Sequence, residues 1–161
     1  MEVSVLDIKG QETGRKVVLA FAGDHAPSFV DHVADKTRVE GNDLQILERS
    51  TPFFIWANYP LENIDAATST ADPLNRMDMV MLAPTIAQQA GLPLTGYYKY
   101  LLAMKQQTPV VTAANDYMKA DGTTGTYGED ESLDAWVKGY LALEYNNIGA
   151  HAKRVQSIFG Q

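Results

Sequence analysis

Lys16 to Ser28, KVVLAFAGDHAPS, is the stretch on which the fold turns. From Val17 to Ala22 it is an unbroken apolar run, which then meets Gly23, Asp24, His25, Ala26 and Pro27. A short apolar run that opens on β-branched residues and closes on glycine predicts a buried strand of a parallel sheet. Open α/β sheets hold their ligands at the carboxyl ends of such strands. There the chain sets a carboxylate beside an imidazole, Asp24 and His25, after a glycine suited to an unusual backbone turn. On this reading the pair is half of a metal site. The plainer alternative is an Asp-His pair that caps a turn and holds no ion.

A strand of this kind needs neighbours on both sides. Upstream, MEVSVLDIKGQETGR offers one short apolar patch, Val3 to Ile8, punctuated by Gly10 and Gly14. An incomplete sheet, and so a partial domain over 1–161, is therefore expected. Downstream, Pro52 to Tyr59 (PFFIWANY) predicts a second strand. Between the two, Phe29, Val30 and Val33 fall at helical spacing, with Asp31 and His32 among them. Residues 60–77 are polar and suggest a loop.

Helices dominate the second half of the chain. Met79, Leu82, Ala83, Ile86, Ala87 and Ala90 make one stripe, with Asp78 as N-cap and Gly91 at the exit. Pro84 must either start the regular part of this helix or kink it. Residues 95–106 predict a short helix with Tyr97, Leu101 and Met104 inward. Residues 130–146 predict a longer one, acidic at its start from Asp130 to Asp134, as the helix dipole favours. Its apolar face would be Leu133, Trp136, Val137, Tyr140 and Leu141, with Leu143 or Glu144. Pro109, Val110 and Val111 and a Gly/Thr-rich turn at 121–128 separate the last two helices.

The 161 residues are 45% apolar and 20% charged, ordinary for a globular chain, with a formal charge of −7. That charge opposes binding to nucleic acid, whose phosphates it would repel. There is no cysteine, which excludes disulfides, thiolate ligands and a cysteine nucleophile. No run approaches the ~18 apolar residues of a membrane span. The first residues carry charges where a signal peptide needs an apolar core.

Other chemical candidates have plainer readings. His151 lies in a basic tail, and Asp130 to Asp134 suit a helix start better than a cation site. Tyr97, Tyr98 and Tyr100 suit core and rim. Arg49 is placed either to hold a phosphate or sulfate oxyanion or to form a structural salt bridge. Neither phosphate-loop pattern is present, and no Ser-His-acid set is suggested by spacing.

Four stretches in series add a resemblance: VVLAFAGDHAPS at 17–28, TPFFIWANY at 51–59, APTIAQQAGLPLTGYYKYL at 83–101 and LEYNNI at 143–148. Over about residues 15–150 the chain resembles the carboxy-terminal part of sulfatase-type enzymes of the alkaline phosphatase superfamily. Within these it is most similar to the lipoteichoic acid synthase-like membrane phosphoglycerol transferases. The resemblance implies an α/β fold, with the end of the sulfatase-like central sheet at 15–60 and a carboxy-terminal helical part with a small sheet at 61–161.

It also implies one divalent cation, Mn2+ or Mg2+, with Asp24 and His25 as two of its ligands. In the family a threonine nucleophile attacks a phospholipid phosphodiester, and the phosphoglycerol (or phosphoethanolamine) group passes to a growing envelope polymer. Substrate and partner would be a phospholipid head group or an anionic polymer, outside the membrane to which such enzymes are anchored. No threonine here stands in the nucleophile's context, so no catalytic residue carries over, and this polypeptide is expected to be inactive alone. A sulfate-ester or phosphodiester hydrolase would use the same two ligands. The rival of a different class is a non-catalytic binding module, and with either an exposed sheet edge would favour self-association.

Overall fold

A computed structural model describes residues 9–26, 39–61, 76–112, 116–149 and 153–160. The architecture is mixed α/β with small antiparallel sheets. The strand expected at 17–22 is β1, Val18–Ala22, and its partner is β2, Phe53–Ala57. The two form a ribbon in which Val18 faces Ala57 and Ala22 faces Phe53.

The pairing is antiparallel, which corrects the expectation of a parallel sheet, and β1 is not buried. Leu19, Phe21 and Phe54 are 53%, 51% and 49% exposed. An unbroken apolar run suggests burial on both faces. Here it instead gives one open apolar face, on which the Phe21 and Phe54 rings stack at 5.4 Å.

Helix α1, Gly41–Glu48, lies between these strands in sequence. It starts at a positive-φ glycine (Gly41, φ 63°) with no side-chain cap, and only Ile46 on it is buried. A turn of 3-10 helix, Met79–Met81, leads into α2, Leu82–Gln89. Asp78 caps the turn, accepting from Val80 N at 3.1 Å. Pro84 sits in the first turn of α2, where its missing N–H costs nothing, so it starts the helix and does not kink it. Gly91 exits at φ 69°.

Helix α3 is Gly96–Lys105, capped by the Thr95 hydroxyl, which accepts from Tyr98 N at 3.1 Å. A second sheet follows, antiparallel in the order β3 (Val110–Val111), β4 (Asp116–Met118) and β5 (Thr124–Thr126). Helix α4, Glu131–Ile148, and the short α5, Gln156–Phe159, complete the described chain. Among the described residues no helix is long and apolar enough to cross a membrane.

The core forms where the 3-10 turn, α3 and α4 meet the second sheet. Met81, Met104 and Val137 make its centre, and Tyr100, Val111, Trp136 and Tyr140 pack around them. Leu101 and Met104 point inward as expected, each 1% exposed. Leu141 does not: it is 57% exposed, because the buried side of α4 is the narrower stripe of Leu133 and Val137, flanked by Trp136 and Tyr140. Two polar side chains of α1 reach the second sheet. Asn42 donates to Thr126 Oγ1 at 3.2 Å, and Thr124 donates to Asp43 at 2.6 Å.

Candidate functional site

A cavity of about 360 Å³ opens where β1 ends. Its walls come from three directions. Ala22 and Asp24 follow β1, and Arg49, Ser50 and Thr51 lead from α1 into β2. Arg76, Met77 and Asp78 precede the 3-10 turn, beside Val110 and Val111. Leu47, Met79 and Leu82 supply further apolar wall.

Gly23 fixes the corner from which Asp24 and His25 project. Its N–H donates to Pro52 O at 3.0 Å, and its carbonyl accepts the Thr51 hydroxyl at 2.8 Å. A Cβ on Gly23 would stand 2.8 Å from Thr51 Cβ, so the glycine is required by the closeness of the neighbouring strand. The unusual turn expected from sequence is not what demands it, because Gly23 is not among the positive-φ glycines. Gly23→Ala is expected to destabilise by about 1–2 kcal/mol, the scale of a local overpacking. Thermal unfolding of the variant checks this.

Asp24 and His25 are both exposed and contact each other. His25 N donates to Asp24 Oδ1 at 2.9 Å, and His25 Nε2 lies 3.5 Å from Asp24 Oδ2. Nδ1 lies 3.0 Å from the Ala26 carbonyl, which only accepts, so Nδ1 carries the proton. In the neutral ring Nε2 therefore turns a lone pair toward a carboxylate oxygen. A positive charge between them is favoured, and the imidazole pKa is raised, first by the Ala26 carbonyl and then by Asp24.

Two ligands sharing one ion at about 2.1 Å stand about 3.0–3.4 Å apart, so Nε2 and Oδ2, at 3.5 Å, would have to draw slightly together to hold an ion as an N,O pair. Among the described residues no group of three or more carboxylates and imidazoles assembles here or elsewhere. Asp31, His32 and His151 lie outside the described residues, as does the helical spacing at Phe29 to Val33.

Arg49 closes α1 as its C-cap. Among the described residues it forms no salt bridge; its Nη1 donates to Gln45 O at 2.9 Å and to Gln45 Oε1 at 2.7 Å. In the same cavity wall the Asp78 carboxyl pKa is raised by burial, opposed by the amides of Val80, Val111 and Met79. Nothing in the sequence marks Arg76 or Asp78 as neighbours of Arg49. Only the tertiary fold brings them to one cavity.

The remaining candidates are structural. Tyr97 hydrogen-bonds Glu144 and packs on Phe159, and burial followed by Glu144 pushes its pKa up. Tyr100 donates to Trp136 O at 2.7 Å and packs on the Trp136 ring. Asp130 caps α4 through Ser132 N and Leu133 N and pairs with Lys119 at 2.8 Å, so the acidic run begins a helix.

Fold and site together define a mixed α/β chain with an open apolar ribbon, an Asp-His pair at the end of its first strand and a two-arginine cavity beside that pair. No family model, no curated protein and no solved structure matches the chain.

Proposed function

We propose that this chain is the carboxy-terminal portion of a metal-dependent phosphoglycerol or phosphoethanolamine transferase of the sulfatase type. In this reading it contributes two ligands, Asp24 and His25, to one Mn2+ or Mg2+ ion. The observation that carries the proposal is the disposition of His25. With Nδ1 held at the Ala26 carbonyl, Nε2 faces Asp24 Oδ2 across 3.5 Å, leaving a place for a cation. The four sequence stretches in the order described support the family.

When bound, the cation would polarise a phosphoryl oxygen. The chain's own part is to fix the imidazole tautomer and hold the Asp-His corner against β2 through Gly23 and Thr51. No residue here is proposed as the nucleophile, and the 161-residue chain is proposed to be inactive alone. Two ligands hold a divalent ion weakly, because affinity follows ligand number and geometry.

Calorimetric titration of Mn2+ into the purified chain, beside the Asp24→Ala/His25→Ala variant, is the test. Weak binding lost in the variant is the expected outcome, and binding that the variant retains overturns the ligand assignment. Turnover of a phosphodiester by the chain alone overturns its inactivity. The open face of Leu19, Phe21 and Phe54 favours a second reading, a binding module without catalysis. That reading expects the variant to leave every binding property unchanged.

A further inference from the structure

We propose that the outer face of α4 is a self-association surface, on which a second copy of this chain docks through its own α4 in antiparallel register. The proposal does not rest on a cation at Asp24 and His25.

Beyond its first two residues, the exposed positions of α4 are Ala135, Lys138, Leu141, Ala142, Tyr145 and Ile148. Their spacing puts them on one face of the helix. A helix with one side in a core ordinarily turns charge to the other. This face holds a single charged residue, Lys138. Leu141, Tyr145 and Ile148 are 57%, 65% and 74% exposed, over about two turns. Helix α4 thus carries a second apolar face, distinct from the one that buries Leu133 and Val137.

The order of the side chains identifies the occupant. Two copies set antiparallel about a two-fold axis between Leu141 and Ala142 bring these positions together in pairs. Leu141 then faces the partner's Ala142, Ile148 the partner's Ala135, and Tyr145 the partner's Lys138. Each large aliphatic side chain meets a small one, so the helices can approach closely. The one cation meets an aromatic ring. A two-fold interface needs every contact to occur twice with the roles exchanged, and every position here has its counterpart.

The charges at the helix ends agree. Glu131 and Asp134 stand in the first turn of α4, and Lys153 and Arg154 follow its carboxyl end. Asn146 holds that basic segment to the last turns of the helix, donating to Lys153 O at 2.9 Å. Antiparallel pairing sets the acidic end of one helix beside the basic segment of the other, with the helix dipoles opposed. A parallel pair would put like charges together at both ends. The 18 residues of α4 extend about 27 Å, so the shared area falls at the low end of specific interfaces, below about 1,200 Å² in total. A reversible dimer of micromolar affinity follows.

The test is sedimentation velocity of the whole chain from micromolar to millimolar concentration, with bismaleimide crosslinking of single-cysteine variants. The chain has no cysteine of its own, so each introduced thiol reports one position. A monomer–dimer equilibrium is expected, weakened about tenfold or more by Leu141→Glu and less by Lys138→Glu, which sets a carboxylate against the Tyr145 ring. Both positions are exposed, so both variants should unfold at the temperature of the unaltered monomer.

Ala142→Cys lies beside the axis and should crosslink to its own copy. Ala135→Cys, about 20 Å from its counterpart, should not, yet it should crosslink when mixed with Ile148→Cys chains. Phe21→Ser, on the open face of the ribbon, should leave the dimer unchanged. A chain that stays monomeric at millimolar concentration overturns the proposal, whether this face then meets a lipid surface or another protein. So does a dimer lost in Phe21→Ser and kept in Leu141→Glu. Efficient crosslinking of Ala135→Cys to itself overturns the antiparallel register.

Discussion

Met104→Ala is expected to destabilise the chain by about 2–5 kcal/mol, the range measured for emptying a well-packed core position. Met104 is 1% exposed and joins Met81 and Val137 at the centre of the core, so its removal leaves a void shared by three elements. The void has little means of closing. Tyr100 is held to Trp136 O, and Thr108 N and Gln107 N both donate to Met104 O, fixing the backbone that would have to move. At about 2–4 °C per kcal/mol for a chain of this size, the melting temperature should fall by about 4–20 °C. Differential scanning calorimetry measures it, and a fall of less than about 2 °C would mean that the helices do not pack as described. Met104→Leu, nearly equal in volume, should recover most of the loss.

Thr108→Val is the second large effect. Thr108 is fully buried, and its hydroxyl lies 3.1 Å from Val110 O and 3.0 Å from Met118 O, where it can donate to either. Valine keeps the shape and removes the donor. A carbonyl oxygen next to the first rungs of the second sheet, of Val110 or Met118, then loses its donor, at a cost of about 1–3 kcal/mol. Thr108→Ser keeps the donor and loses a methyl group, so it should be the milder of the two. Urea denaturation of the pair separates lost hydrogen bonding from lost packing. If valine were the milder substitution, the hydroxyl would not be what joins α3 to the sheet.

Several elements are legible in the sequence because their signals are local. β1 and β2 fall within a residue or two of their apolar runs, and Asp78, Thr95, Asp130 and Gly91 mark helix ends by their own chemistry. Strand direction is not local. The run from Val17 to Ala22 carries no information on which way its partner runs, and its apolarity suggests a burial that Leu19 and Phe21 do not have. Helix α1 has one buried residue and no side-chain cap, so neither periodicity nor capping announces it. β3, β4 and β5 are two or three residues long, too short for alternation to register.

The site divides in the same way. Asp24 and His25 are adjacent and can be found as a dipeptide. That Arg49 and Arg76 line one cavity depends on how α1 and the segment before the 3-10 turn meet, which no window of sequence contains.

The end of the described chain has a practical bearing on how the protein is handled. Asn146 clasps it from both sides, donating to Lys153 O at 2.9 Å and accepting from Val155 N at 3.0 Å. Phe159 then seats against Tyr97, and Gly96 lies so close to Ile158 that a Cβ there would meet its carbonyl oxygen at 3.2 Å. The segment thus serves as a latch on α3. A purification tag or fluorescent fusion placed directly after Phe159 would strain that latch, so labels and surface tethers belong at the opposite terminus.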